Sequence, residues 1–375
     1  MDKNQKAFFE LLRAGLWENC SEFQVSSFRL QDSIDWEKIY LLSEEQSVIG
    51  LVLAGIEHSF HKPPQELLLQ WIGEVQMLEQ QNKEMNQFIA ELVERLRKAD
   101  IYTLLVKGQG VAQCYERPLW RSCGDVDFFL SDDNLKNAKD FLIPLADSVD
   151  PENKYERHLG MTIGSWVVEL HGSLRCGLSR KIDKELDKIK DDTFYGGSVH
   201  SWANGKTQIF LLCVNNDAIY VFTHFLNHFY KGGVGIRQIC DWCRLLWKYR
   251  DKVDITLLEN RLRQMGLMSE WKAFGAFVVD YLGMPAEAMP LYSADMKWKK
   301  KADKICKFVM EVGNFGHNRD TSYYSKYPFI VRKTISLEKR CSDLFRHAMI
   351  FPVDSFRFFP YMMLNGFREA FRKVN

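Results

Sequence analysis

Apolar residues recur at intervals of three and four through the first hundred positions. Phe8, Leu11, Leu12 and Leu16 form one such series, and Trp36, Ile39 and Tyr40 another. The longest follows Pro63 and Pro64, residues suited to a first helical turn. There Leu68, Trp71, Ile72, Val75, Leu78, Met85, Phe88, Leu92 and Leu96 make a stripe at helical period. The spacing predicts one core-packing helix of roughly nine turns, with a Glu, Gln and Lys face outward.

The pattern changes after residue 100. "IYTLLVKG" (101–108) is a short β-rich run ending in glycine, and "DVDFFL" (125–130) is a second. Ser131, Asp132 and Asp133 offer N-cap residues before a helix carrying Leu135, Ala138, Phe141 and Leu142. "KYERHLGMTIGSWVVELHGSL" (154–174) predicts two strands turning near Gly164. Strand alternation puts Val167, Glu169 and His171 on one face of the second, and Trp166, Val168 and Leu170 on the other. Helical spacing returns near 215, in "NNDAIYVFTHFLNHFYK", with an N-cap expected at Asn215 or Asn216. "GIRQICDWCRLLWKYR", "DITLLENRLRQMGL" and "MSEWKAFGAFVVDYLGMP" continue it as a bundle. The predicted class is α+β. A helical region (1–100) precedes a small mixed-sheet core (101–212), a helical bundle (213–330) and a basic, aromatic tail (331–375).

The chemistry concentrates in the core. Asp125 and Asp127 share one strand face, where like charges repel unless something positive sits between them. Two such carboxylates make a hard oxygen site suited to Mg²⁺. Two ions about 4 Å apart can clamp the attacking and leaving oxygens of a phosphoryl displacement. The third carboxylate such a scheme needs is Glu169. The Lys107-Gly108 turn opens a short helix, where backbone N–H groups suit a phosphate; Lys107 adds a point charge and Arg121 a guanidinium fork. His171 stands beside Glu169. His224 and His228, at i and i+4, read as polar lining of the cleft, with core or metal-binding roles as alternatives. Arg237 and Asp241 are spaced for an ion pair within one helix.

The order of these motifs resembles the polymerase-β-type nucleotidyltransferase superfamily. Within it the sequence is most similar to a poorly characterised bacterial family associated with polysaccharide gene clusters. The resemblance rests on "LLVKG", Tyr115, Pro118, Arg121, "DVDFFL", "VELHGSL", "THFLNH" and "GIRQICDW". It implies that Asp125, Asp127 and Glu169 are catalytic metal carboxylates for two Mg²⁺, with Mn²⁺ as a substitute. It places Lys107, Gly108 and Arg121 around the nucleotide, with Gln109 in the same turn; His171, His224 and His228 are candidates to line the substrate by their own positions. The implied reaction moves a nucleoside monophosphate from an NTP to an acceptor hydroxyl or phosphate. The turn departs from the superfamily: Gly108-Gln109 stands where Gly-Gly or Gly-Ser is usual, so a phosphate-touching serine is missing. That departure keeps open an inactive nucleotide-binding or scaffold protein, serving surface polysaccharide assembly.

Charge is balanced, with Lys+Arg 50 against Asp+Glu 49. No global basic field draws long nucleic acids, so the expected partners are an NTP and a small-molecule or protein acceptor. The nine cysteines form no framework; the single CxxC, Cys240 to Cys243, has no second pair for zinc and reads as incidental. That usage, an acid-containing amphipathic N-terminus and the lack of an apolar run of about 18 residues favour a cytoplasmic protein. The tail reads first as a helix that closes the bundle, with a membrane-surface contact as the alternative.

Overall fold

The structure is a computed structural model and describes residues 1–18, 30, 33–314 and 329–372. The N-terminal region contains α1 (Lys3–Leu16), α2 (Trp36–Glu45), α3 (Ile49–His58) and α4 (Gln65–Lys98). The long stripe does form one helix, α4, with Pro64 at its N-cap rather than inside its first turn. α1 and α3 cross backbone to backbone. A Cβ on Gly15 would stand 1.8 Å from the Leu51 carbonyl oxygen, so only glycine permits the crossing.

The core is a seven-stranded mixed sheet. Its strands are β1 (Leu104–Val106), β2 (Asp125–Phe129), β3 (Ser148–Val149), β4 (His158–Ile163), β5 (Trp166–His171), β6 (Val199–Asn204) and β7 (Thr207–Leu212). They lie in the order β3-β4-β5-β2-β1-β7-β6. β2 runs parallel to β5 and β1 parallel to β7, and the other pairs are antiparallel. α5 (Gly108–Ala112) follows β1, α6 (Asp132–Leu142) follows β2, and α7 (Arg180–Tyr195) precedes the β6–β7 hairpin. Ser131 caps α6 as expected, accepting from Asn134 N–H. α7 and the hairpin have no counterpart in the sequence reading. α7 is largely charged, and its fully buried apolar residues are Ile182, Leu186 and Ile189 at helical spacing.

Alternation divides the strand residues between two cores. Val126, Phe128, Leu159, Met161, Val168 and Leu170 face α6 and the C-terminal half of α4. Leu104, Val106 and Phe129 join the larger core beneath the C-terminal helices. The polar cluster described below sits on this second face.

The bundle comprises α8 (Val214–Lys231), α9 (Ile236–Lys248), α10 (Ile255–Met265), α11 (Met268–Asp280) and α12 (Met296–Val312), followed by helices Phe329–Ala348 and Pro352–Arg372. α8 starts earlier than its asparagines suggest, with Cys213 at the N-cap. Asn216 is instead buried and donates to Asp192 and Thr193, because α7 packs there. Cys240 and Cys243 are buried free thiols on α9. In the tail, Phe351 and Phe358 are buried against Phe229 and Tyr230 of α8, whereas Phe345 and Phe356 are exposed. Cys20 and Lys373 lie outside the described residues, and the side chains from 366 onward, including Phe367 and Phe371, are likewise outside them. Among the described residues, no helix is long and apolar enough to cross a membrane.

Candidate active site

β2 begins at Asp125, so its pleat turns Asp125 and Asp127 to one face. Parallel pairing sets Glu169 of β5 directly beside Asp127. One carboxylate oxygen from each of Asp125, Asp127 and Glu169 lies within 4.8 Å of the others. On the other side, antiparallel pairing sets Val106 beside Asp127. The next residue, Lys107, adopts φ 57° and Gly108 φ 43°, so two consecutive residues occupy left-handed backbone. For a lysine that conformation is strained, and such strain gathers at functional sites. The bend brings Lys107 Nζ to 2.6 Å from Asp127 Oδ1.

Two histidines complete the cluster. His171 Nε2 lies 2.7 Å from Asp127 Oδ1 and 3.4 Å from Glu169 Oε2. His158 sits opposite His171 across the β4–β5 hairpin, with Nε2 3.1 Å from Glu169 Oε2. The sequence reading passed over His158. A signal existed, since a turn near Gly164 with strands of equal length pairs 158 with 171.

Each charge depends on its neighbours. Asp125 is pushed above the ordinary carboxylate range, first by Asp127 and then by burial. For Glu169 burial acts upward, but the adjacent His158 and His171 rings, with Lys107 nearby, hold it well below its ordinary value. Burial lowers His171, yet its bonds to Asp127 and Glu169 raise it on balance. Lys107 likewise overcomes its burial through Asp127, and stays protonated. On α8 burial dominates: His224 falls well below its usual value, and His228 to about 4. Both are neutral imidazoles at pH 7, their Nε2 atoms 3.1 Å apart.

Three hard, converging oxygens against one ammonium are a donor set that fits a divalent cation. Two cavities meet at Lys107 and His224. The larger, about 220 Å³, is bordered by His158, Glu169, His171, Tyr220, Asn227 and His228. The smaller, about 60 Å³, is bordered by Gly108, Asp125, Asp127 and Arg237. The two acids of β2 and the histidine pair of the β4–β5 hairpin thus face different spaces.

Two residues expected around the nucleotide are engaged elsewhere. Arg121, 4% exposed, makes a bidentate pair with Asp241: Nε to Oδ1 at 3.0 Å and Nη2 to Oδ2 at 2.6 Å. Its Nη1 has no hydrogen-bond partner among the described residues, and the residue borders the smaller cavity. Asp241 also accepts from the Tyr115 hydroxyl at 2.7 Å. It therefore does not form the close helical pair with Arg237 that the i, i+4 spacing suggested; Arg237 donates to the Ser122 carbonyl. Gln109 is buried and points to α4, where Nε2 donates to Asn82 Oδ1 at 2.6 Å. A helical step of about 100° per residue turns Gln109 away from the side that Gly108 opens to the cavity.

Asn82 is a functional support that the sequence reading missed. It interrupts the apolar stripe of α4 and is fully buried. Its Nδ2 donates to the carbonyls of Leu119 and Arg121, at 2.8 and 2.9 Å, so it holds the loop leading into β2. Asn82→Leu strands those carbonyls and Gln109, and is expected to cost about 3 kcal/mol. A urea titration checks this, and an unchanged midpoint would refute it.

Paired acids on a central strand, a third acid in register on its parallel neighbour and a Lys-Gly turn before a short helix are the arrangement that the sequence resemblance to nucleotidyltransferases led one to expect, here on a mixed sheet between helical regions. A family model described as an uncharacterised nucleotidyltransferase matches residues 32–279, which span every residue of the cluster. The chain belongs to that family. No curated protein and no solved structure matches it.

Proposed function

We propose that the protein is a Mg²⁺-dependent nucleotidyltransferase that moves a nucleoside monophosphate from an NTP to an acceptor hydroxyl or phosphate, releasing pyrophosphate. The convergence of Asp125, Asp127 and Glu169 within 4.8 Å carries this reading. These carboxylates would hold two Mg²⁺, or Mn²⁺ in their place, which when bound neutralise the triphosphate and polarise the reacting phosphorus. Lys107 adds a fixed ammonium, pinned by its left-handed turn. The acceptor oxygen attacks the α-phosphorus as the bond to the pyrophosphate oxygen breaks. The acceptor's proton passes to the Glu169 carboxylate. His224 and His228, neutral and walling the cavities, line the substrate without adding charge. Most of the rate then comes from positioning and charge neutralisation.

The test is calorimetry of the full-length protein with Mg²⁺ and each of the four NTPs. It is paired with a search for label transferred from α-phosphate-labelled NTP to small molecules or protein. Binding of at least one Mg-NTP with pyrophosphate release is expected. No binding at millimolar nucleotide would favour the inactive scaffold instead.

A further inference from the structure

Two histidines on the wall of the larger cavity, His158 and His171, flank Glu169 with a chemistry that phosphoryl transfer by the three carboxylates does not use. His158 Nε2 and His171 Nε2 lie 3.1 and 3.4 Å from Glu169 Oε2, and His171 Nε2 is also 2.7 Å from Asp127 Oδ1. One donor atom from each of the three lies within 4.8 Å of the other two. The arrangement is set by register. His158 and His171 are directly paired across the antiparallel strands, and Glu169 is two residues along on the same face.

We infer that His158, Glu169 and His171 form a separate metal site, which takes a late first-row divalent ion of the Zn²⁺ type. Spacing supports it. Bonds of about 2.0–2.1 Å put neighbouring ligands roughly 3.0 to 3.4 Å apart, for angles between octahedral and tetrahedral. The two nitrogen–oxygen separations already have those values. Donor chemistry supports it too. Two imidazoles and one carboxylate suit Zn²⁺, Co²⁺ or Mn²⁺, whereas Mg²⁺ selects oxygen. Three protein ligands leave a further coordination position, and these three border the larger cavity. An acceptor oxygen or a water entering there would meet the ion. Glu169 has two carboxylate oxygens, so it can serve this ion and the oxygen site of Asp125 and Asp127 together. The site itself requires no nucleotide transfer; only its use in holding the acceptor rests on the function proposed above.

The full-length protein, stripped with chelator, is titrated with Co²⁺ while its visible ligand-field absorption is followed. Zn²⁺ and millimolar Mg²⁺ then serve as competitors. Wild type is expected to bind Co²⁺ with a ligand-field band that Zn²⁺ abolishes and Mg²⁺ does not. Both His158→Ala and the bulkier His158→Gln should weaken Co²⁺ by about 100-fold, the upper range for loss of a residue supporting a metal site. Unchanged far-UV circular dichroism and a cooperative urea transition in both variants report folding. Asp125→Asn should keep the Co²⁺ band and lose Mg-ATP. Unchanged Co²⁺ affinity in both His158 variants, or displacement by millimolar Mg²⁺, overturns the inference. A wild type that shows the Co²⁺ band but binds no Mg-NTP supports the site and overturns the proposed transferase alone.

Discussion

Asp125→Asn is expected to lower kcat/KM by about 10³-fold or more and, at the same time, to raise the melting temperature of the metal-free protein. The activity loss follows from removing one of three converging carboxylates. The stability gain follows from the direction of its pKa. Asp127 first, and burial second, push Asp125 above its ordinary value. The folded state then holds this proton more tightly than the unfolded chain does. Stability contributed by the protonated form is therefore lost as pH rises through the raised value. Above that raised value the ionised Asp125 opposes folding, and a neutral amide of the same shape relieves the repulsion. Melting curves in chelator and in Mg²⁺ separate the two effects. Mg²⁺ should stabilise wild type through binding and should stabilise the variant far less. A variant that melts below wild type in chelator, or that turns over at full rate, contradicts the account.

Arg121→Leu is expected to destabilise the fold by about 3–5 kcal/mol, the range for breaking one partner of a buried ion pair. Without Arg121, Asp241 keeps only the Tyr115 hydroxyl and the more distant Arg237 as favourable neighbours. The pair links the loop before β2 to α9, so its loss loosens the approach to both acids. Arg121→Lys should rescue little, because one ammonium cannot meet both carboxylate oxygens in parallel. The urea midpoint should fall at constant slope. If Arg121 acted chiefly by touching the nucleotide, KM would rise and the midpoint would stay.

Those two residues show where sequence reasoning reaches and where it stops. Asp125, Asp127 and Glu169 were legible because a strand's pleat alone decides which side chains share a face. The turn at Lys107 was legible as well, since glycine marks it, although the left-handed backbone of the lysine itself was not. The pairing of Arg121 with Asp241 was not legible, because its partner stands 120 positions away, beyond any local pattern. Asn82 passed unnoticed for a related reason. A polar residue in an apolar stripe is informative only once the carbonyls it satisfies are known.

By itself the sequence determined the class: helices at period 3.6, short strands at period 2, and acids placed on one face of two strands. These are properties of neighbouring residues, whose directions follow from backbone geometry. Tertiary structure decided the rest. Parallel pairing of β2 with β5 set Glu169 beside Asp127, and the β4–β5 register brought His158 to the same carboxylate. Burial then decided which charges are satisfied by one another and which remain turned to the cavity. Register and burial depend on contacts between distant segments, and the energies that select them appear only when the chain is folded.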